Sequence, residues 1–347
     1  MAQVSIMTTL YDWKKTIKQA ELDQVSELLQ AGKLVIFPTE TVYGIGANAY
    51  NKNAVEQIFT AKGRANDNPL IVHIADFSDL EAITEPATAM EQALMDAFMP
   101  GPFTLILKKK AMIPDNVSAG LDTIGVRMPA NPIAHALIQA AKIPIAAPSA
   151  NLSGRPSGTR VADIYDEFDG NVAAIIDGGD TEIGIESTVV KVIDGIPTIL
   201  RPGKVTPMDI KEVVGVVKID EHIFKKTEGI VASPGMKYKH YAPQSNCLLV
   251  YSDDEEMQIA LVNEHLVPNT IVIGFEEHRN RIRCHQFYAY GHKGHEEEIS
   301  HSIFQLLRQV DQQHPAKIII EGVKKEGLGL AIMNRLIRAA SYQYIEK

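Results

Sequence analysis

Apolar residues recur along this chain in two alternating rhythms. Over residues 21–31, Leu22, Val25, Leu28 and Leu29 share one side of a helix that Gly32 ends. Lys33-Leu-Val-Ile-Phe37 then reads as a buried strand closed by Pro38, and residues 53–62 repeat the helical spacing through Val55, Ile58 and Phe59 up to Gly63. Further apolar runs predict strands at 70–74, 104–107, 123–128, 143–147, 173–176, 187–192 and 198–201. Helical spacing predicts helices over 132–141 and 161–168. Several strands follow one another with no helix between, which predicts a mixed rather than purely parallel sheet.

The rhythm weakens over 214–228, and the segment 233–243 (Ser-Pro-Gly-Met-Lys-Tyr-Lys-His-Tyr-Ala-Pro) has neither period. A second α/β unit follows, with strands expected at 248–251, 270–274, 286–290 and 317–321 and helices at 257–265, 297–312 and 330–340. The expected organisation is a first α/β domain over 1–213, a linker over 214–244 and a small Rossmann-like α/β domain over 245–347. There is no internal repeat.

Composition fits this picture. Of 347 residues, 45% are apolar and 22% charged, a globular balance of a length for about two domains. Cys247 and Cys284 form no C-x-x-C pattern, which excludes a zinc ribbon and suits a reducing compartment. The N-terminus lacks the basic-then-apolar order of a secretory signal, and no run is long enough to cross a membrane, so a soluble cytoplasmic protein with no membrane partner is expected. The net charge of −9 argues against a broad nucleic-acid-coating face. A local cationic pocket is still allowed: residues 201–250 carry eight Lys/Arg against five Asp/Glu, and 251–300 carry four against ten.

No P-loop, G-x-S-x-G elbow, H-E-x-x-H or complete G-x-G-x-x-G is present; Gly44-Ile-Gly46 supplies only two glycines of the last. Polar residues instead interrupt apolar runs at their ends, where open α/β sheets bind ligands. They do so in Pro38-Thr-Glu-Thr-Val-Tyr-Gly-Ile-Gly46, Lys62-Gly-Arg-Ala-Asn-Asp-Asn-Pro-Leu-Ile-Val-His73, Gly120-Leu-Asp-Thr-Ile-Gly-Val-Arg-Met-Pro129 and Ala146-Ala-Pro-Ser-Ala-Asn-Leu-Ser-Gly-Arg-Pro-Ser157. Lys62, Arg64 and Arg201 are cations suited to a triphosphate, with Asn68, Ser149 and Ser157 as neutral donors. Lys62 and Arg64 also end a helix, where cations offset the macrodipole. Arg127, lodged in an apolar strand, could clamp a carboxylate.

Together with Glu186-Ser-Thr188, Arg201-Pro-Gly203 and the 233–243 segment, these motifs resemble the YrdC-like L-threonylcarbamoyladenylate synthases, in the longer form with a C-terminal extension. The resemblance spans the whole chain. It implies a YrdC-like twisted mixed-sheet domain followed by the small α/β domain. It also implies a nucleotidyltransferase that joins ATP, L-threonine and bicarbonate into threonylcarbamoyl-AMP and pyrophosphate. A partner transferase then moves the threonylcarbamoyl group to a tRNA adenosine beside the anticodon. On the ATP side it implies Arg64, Asn68, Ser149, Ser157, Arg201 and Tyr241; on the threonine side Thr41, His73, Thr123, Arg127, Ala147 and Ser187; Lys62 and Arg64 are the catalytic candidates.

Magnesium is expected with the triphosphate, its protein ligands left open between Glu186, Asp177 and neither. Residues 233–243 are expected to form an active-site lid presenting Lys237, Tyr238, Lys239, His240 and Tyr241, with a simple tether as the alternative. His292-x-x-His295 is read as solvated loop. An RNA-binding module without catalysis, and a carbamoyl-transferase domain like that of hydrogenase maturation factors, are competing readings of the same fold.

Overall fold

A computed structural model describes residues 7–225 and 241–347. Eleven strands build the first sheet: β1 (Thr9–Asp12), β2 (Val35–Phe37), β3 (Gly44–Asn48), β4 (Ile71–His73), β5 (Phe103–Lys108), β6 (Thr123–Arg127), β7 (Ile145–Ala147), β8 (Ala174–Asp177), β9 (Thr188–Ile193), β10 (Ile196–Arg201) and β11 (Lys218–Ile219). They lie in the order β1-β8-β2-β3-β7-β4-β6-β5-β9-β10-β11, with parallel and antiparallel pairs interspersed, as the uninterrupted strand runs predict.

Alternation along each strand feeds two cores. Val35 and Phe37 of β2 join the helices Gln19–Gln30 and Pro132–Ala141 on one face. Ile36 between them joins Lys52–Lys62 and Ala89–Phe98 on the other. The caps are those the sequence suggests. Asn51 accepts from the backbone N–H groups of Asn53 and Ala54 at the start of Lys52–Lys62, and Gly63 ends that helix at φ 59°. That end delivers Lys62 and Arg64 to the edge of β7.

Some expectations are corrected. The Gly44-Ile-Gly46 segment, read only as two glycines of an incomplete dinucleotide motif, opens the strand β3. A Cβ on Gly46 would come within 2.7 Å of both Phe37 and Ile145, so this glycine serves close strand packing. The expected helix over 161–168 divides into a 3₁₀ turn, Val161–Asp163, and a short helix, Tyr165–Phe168, with Ile164 at φ −126° between them. The carbonyl of Asp163 accepts from Arg308 of the second unit at 2.8 Å rather than from a helical N–H, so a tertiary contact overrides the local period. The helices Ala89–Phe98 and Pro207–Val214 and the strand β1 were not anticipated. The edge strand β11 lies inside the segment expected as linker, where it pairs with β10.

The second sheet contains β12 (Cys247–Tyr251), β13 (Thr270–Phe275), β14 (Gln286–Gly291), β15 (Lys317–Glu321) and β16 (Tyr344–Glu346), all parallel in the order β14-β13-β15-β12-β16. The helices Glu296–Asp311 and Leu328–Ala339 lie between this sheet and the first unit. Every residue from Gly329 to Ala339 is buried, because that helix has neighbours on both sides. No helix among the described residues is long and apolar enough to cross a membrane.

Candidate active site

Strand ends and loops of the first sheet surround a cleft of about 740 Å³, measured to its open mouth. It gathers Thr41 from the loop after β2, His73 and Arg127 from the ends of β4 and β6, Ala147 and Ser149 at the end of β7, Ser187 and Arg201 from around β9 and β10, Lys62 and Arg64 from the helix end, and Tyr241. Ten of the expected site residues therefore line one cavity. Three do not. Thr123 opens β6 opposite Lys108, four residues before Arg127, and Asn68 and Ser157 sit in its walls.

One half of the cleft is organised by Arg127, which is 4% exposed. Its Nη2 donates to Glu40 Oε1 at 2.6 Å, Nη1 to Thr41 Oγ1 at 2.9 Å and Nε to the Gly101 carbonyl at 3.2 Å. Five N–H groups less these three leaves two for a ligand. Burial alone would raise the Glu40 carboxyl, but Arg127 outweighs it and holds the group below the usual carboxylate range. Thr39 fixes the loop: its hydroxyl donates to the Val42 carbonyl at 2.6 Å and accepts from the Val42 N–H at 3.2 Å. His73 is pushed down to about 3 by burial, with Arg127 adding to the effect. Its Nδ1 is buried with no hydrogen-bond partner, so the ring stands neutral beside the guanidinium. Ser187 Oγ and Thr104 Oγ1 lie 2.8 Å apart.

The other half concentrates cations on neutral oxygens. Lys62 Nζ donates to the carbonyls of Ser149 at 2.5 Å and Asn151 at 2.6 Å. Burial, then the nearby Arg64, pushes its ammonium well below the lysine range; an arriving anion would favour the charged form again. Arg64 donates to the carbonyls of Asn68 and Pro69 at 3.0 and 3.2 Å. Arg201 donates to the Ser187 carbonyl and hydroxyl, both at 3.1 Å, and burial lowers it to about 10. Ser149 Oγ donates to Asn151 Oδ1 at 2.6 Å. The side chain of Asn68 is wholly buried and neither of its polar atoms has a hydrogen-bond partner, a cost that a ligand or a small loop shift would relieve.

Glu186 also lines the cleft, and both carboxylate oxygens are engaged: Oε1 accepts from Ser157 Oγ at 2.5 Å and Oε2 from Arg335 Nε at 3.0 Å. Asp177 is outside the cleft, bonded to Lys14 at 3.0 Å. Of the expected lid, Lys237, Tyr238, Lys239 and His240 lie outside the described residues. Tyr241 is buried in the cleft wall, stacked on Phe304 with centroids 5.0 Å apart. His292 Nδ1 sits 2.9 Å from Glu298 Oε2 on the surface.

Sequence reasoning missed Glu40, Asn151 and Arg335. Glu40 stood inside a motif already singled out. Arg335, beside Asn334 and Arg338 on its helix, carried no local signal.

A family model described as telomere recombination, of the Sua5–YciO–YrdC group, matches residues 27–203. One described as threonylcarbamoyl-AMP synthase, C-terminal domain, matches residues 205–341. A threonylcarbamoyl-AMP synthase of Bacillus subtilis is 44% identical over 94% of both chains. One of Pyrococcus abyssi is 39% identical over 98% of this chain and all of its own length. The crystal structure of P. abyssi Sua5 complexed with L-threonine superposes with a TM-score of 0.93 at 39% identity, covering 98% of this chain and 100% of that one.

Proposed function

The chain belongs to the threonylcarbamoyl-AMP synthase family, and from that premise we propose that it joins ATP, L-threonine and bicarbonate into threonylcarbamoyl-AMP, releasing pyrophosphate. The observation that carries the reading is the division of one cleft into two chemistries. Arg127, with two N–H groups left, suits a single carboxylate; Lys62, Arg64 and Arg201 together suit a triphosphate.

Threonine binds through its carboxylate to Arg127, with the Thr41 and Ser187 hydroxyls beside it. Its amine attacks bicarbonate, giving the carbamate and water. A carbamate oxygen then attacks the α-phosphorus of ATP in line, the bond to the β-phosphate oxygen breaks, and pyrophosphate leaves. The cations offset the charge that spreads over the phosphate oxygens. No covalent enzyme intermediate is needed. Neutral His73 adds no second cation beside Arg127.

Magnesium would travel with the triphosphate and neutralise its charge. Among the described residues no group of three His, Cys, Asp or Glu could hold an ion, which suits a metal carried mainly by phosphates and water. Glu186, the carboxylate in the cleft lining, has both oxygens engaged by Ser157 and Arg335, so no protein ligand is assigned to the metal. Downstream, a separate transferase would pass the threonylcarbamoyl group to tRNA.

The test is pyrophosphate release with each substrate omitted in turn. The expected result is release only with all three present. Equal release without threonine would overturn the reading.

A further inference from the structure

The helix Leu328–Ala339 belongs to the second unit, yet one of its side chains ends in the cleft wall of the first. Arg335 is fully buried. Its Nε donates to Glu186 Oε2 at 3.0 Å, Nη2 to the Glu186 carbonyl at 3.2 Å, and Nη1 to the Pro202 carbonyl at 2.6 Å and to Asn334 Oδ1 at 2.9 Å. Its guanidinium carbon lies 5.9 Å from the centroid of the Tyr241 ring. Apart from Asn334, these partners come from outside its own unit. A planar fork reaches a carboxylate and two carbonyls at once, which an ammonium cannot do.

Glu186 has no evident reason to be tolerated where it is without this partner. It is 6% exposed and faces a cleft whose other charges await a polyanion. Burial would raise its carboxyl; Arg335 first, then Arg201, offset that and keep it ionised. Held in this way it accepts from Ser157 and so fixes the loop that carries Ser153 and Gly154 at the cleft. Arg308 of the same unit bonds the back of that loop at the Pro156 carbonyl at 3.1 Å, and also holds Glu167 at 2.8 Å, which accepts from the Leu152 N–H of the loop.

We propose that Arg335 is a positioning residue for the nucleotide side of the cleft, supplied across the domain interface: it neutralises Glu186 and holds it against Ser157, so that the first unit's nucleotide site is complete only with the second unit docked. This rests on the assignment of a nucleotide to the cleft. The second unit is then part of the active site although it contributes no group to the chemistry.

The experiment is calorimetry of ATP and, separately, of L-threonine on the full chain. Arg335→Met keeps the bulk and leaves Glu186 as a buried, unpaired carboxylate. ATP affinity should fall at least about tenfold, with threonine affinity changed less than about threefold. Arg335→Lys should lie between. Arg335→Met with Glu186→Gln removes both charges, and ATP affinity should return to within about threefold of the wild type. Equal losses for both substrates, or a double variant no better than the single one, would make Arg335 a strut and overturn the proposal. Should Arg335→Met not fold, Arg335→Lys decides alone: a loss of ATP affinity clearly larger than that of threonine supports the proposal, and equal losses, or none, overturn it. A wild-type chain that binds ATP but forms no pyrophosphate would overturn the assigned reaction while leaving this comparison readable.

Discussion

The two units each carry a cleft, and they treat charge in opposite ways. The second cleft, about 650 Å³, opens at the carboxyl ends of β12, β13 and β15, where an open parallel sheet normally takes a ligand. Its cations face carboxylates: Lys293 pairs with Glu255, Lys324 with Glu326 at 2.9 Å, and His278 with Glu321 at 2.7 Å. In the first cleft Lys62 rests on carbonyls and Arg127 keeps two donors in hand. Fold position alone is thus a poor guide to a site. A cation held by neutral oxygens can still bind an anion, and so can a guanidinium that gives a carboxylate only part of its donor set, as Arg127 does with Glu40; an ammonium already paired with a carboxylate has less left to offer.

The largest effect that would test this contrast is expected at Arg127. Arg127→Ala removes the carboxylate clamp and strands Glu40 as a buried charge. Breaking a buried pair in this way costs roughly 3–5 kcal/mol of stability. Threonine-dependent pyrophosphate release should fall at least about a hundredfold, since charge-assisted bonds are worth about 1.5–3 kcal/mol each. Adding Glu40→Gln should recover stability but not threonine affinity. Recovery of both would move Arg127 from ligand binding to structure.

How much of this was legible beforehand depended on range. Lys62, Arg64, Arg127 and Arg201 were readable because each breaks a local pattern: a cation ending a helix, or one lodged in an apolar strand. Even the helix limits at Pro132–Ala141 followed from spacing. The failures are long-range. The helix over 161–168 is broken by Arg308, about 145 residues away in sequence. Arg335 looked like one more residue of an amphipathic helix, because nothing local says that its face meets Glu186. Thr123 shows the converse: a motif placed it with the site, while the cleft lining stops short of it, four residues before Arg127 along β6.

A pH titration separates the clefts by sign. His73 is depressed to about 3, so below the ordinary histidine value of about 6.5 the unfolded chain binds a proton that the folded chain does not. Folding should lose about 1.4 kcal/mol per pH unit from this residue as pH falls through that window. The charges facing it are Arg127 and Glu40. His278 behaves oppositely. Burial alone would lower it, but Glu321 and Glu255 outweigh burial and the repulsion of Lys293, and raise it. Its contribution is therefore fully present below the unfolded value and is lost as pH rises through the raised folded value. Urea unfolding at about pH 7.5 and 5.5 should show His73→Asn removing a loss on acidification and His278→Gln removing a gain. Shifts of the same sign in the two variants would erase the distinction.

The smallest expected effect is at Lys293. This lysine lines the second cleft much as Arg64 lines the first, so a count of cations would treat them alike. Their surroundings do not. Lys293 is 41% exposed on its side chain and pairs with Glu255, a carboxylate that also receives Arg281 at 3.0 Å. Exposed pairs of this kind are screened by water and salt and contribute little. Lys293→Ala should leave the melting temperature, ATP affinity and pyrophosphate release unchanged within measurement error. Arg64→Ala, which removes a cation from the nucleotide half, should weaken ATP binding at least about tenfold. The two substitutions delete the same formal charge, so net-charge effects cancel between them, and what remains is the difference in what holds each cation. If Lys293→Ala weakened ATP binding as much as Arg64→Ala does, the second cleft would have to be reclassified as a nucleotide site and the contrast between the two units abandoned.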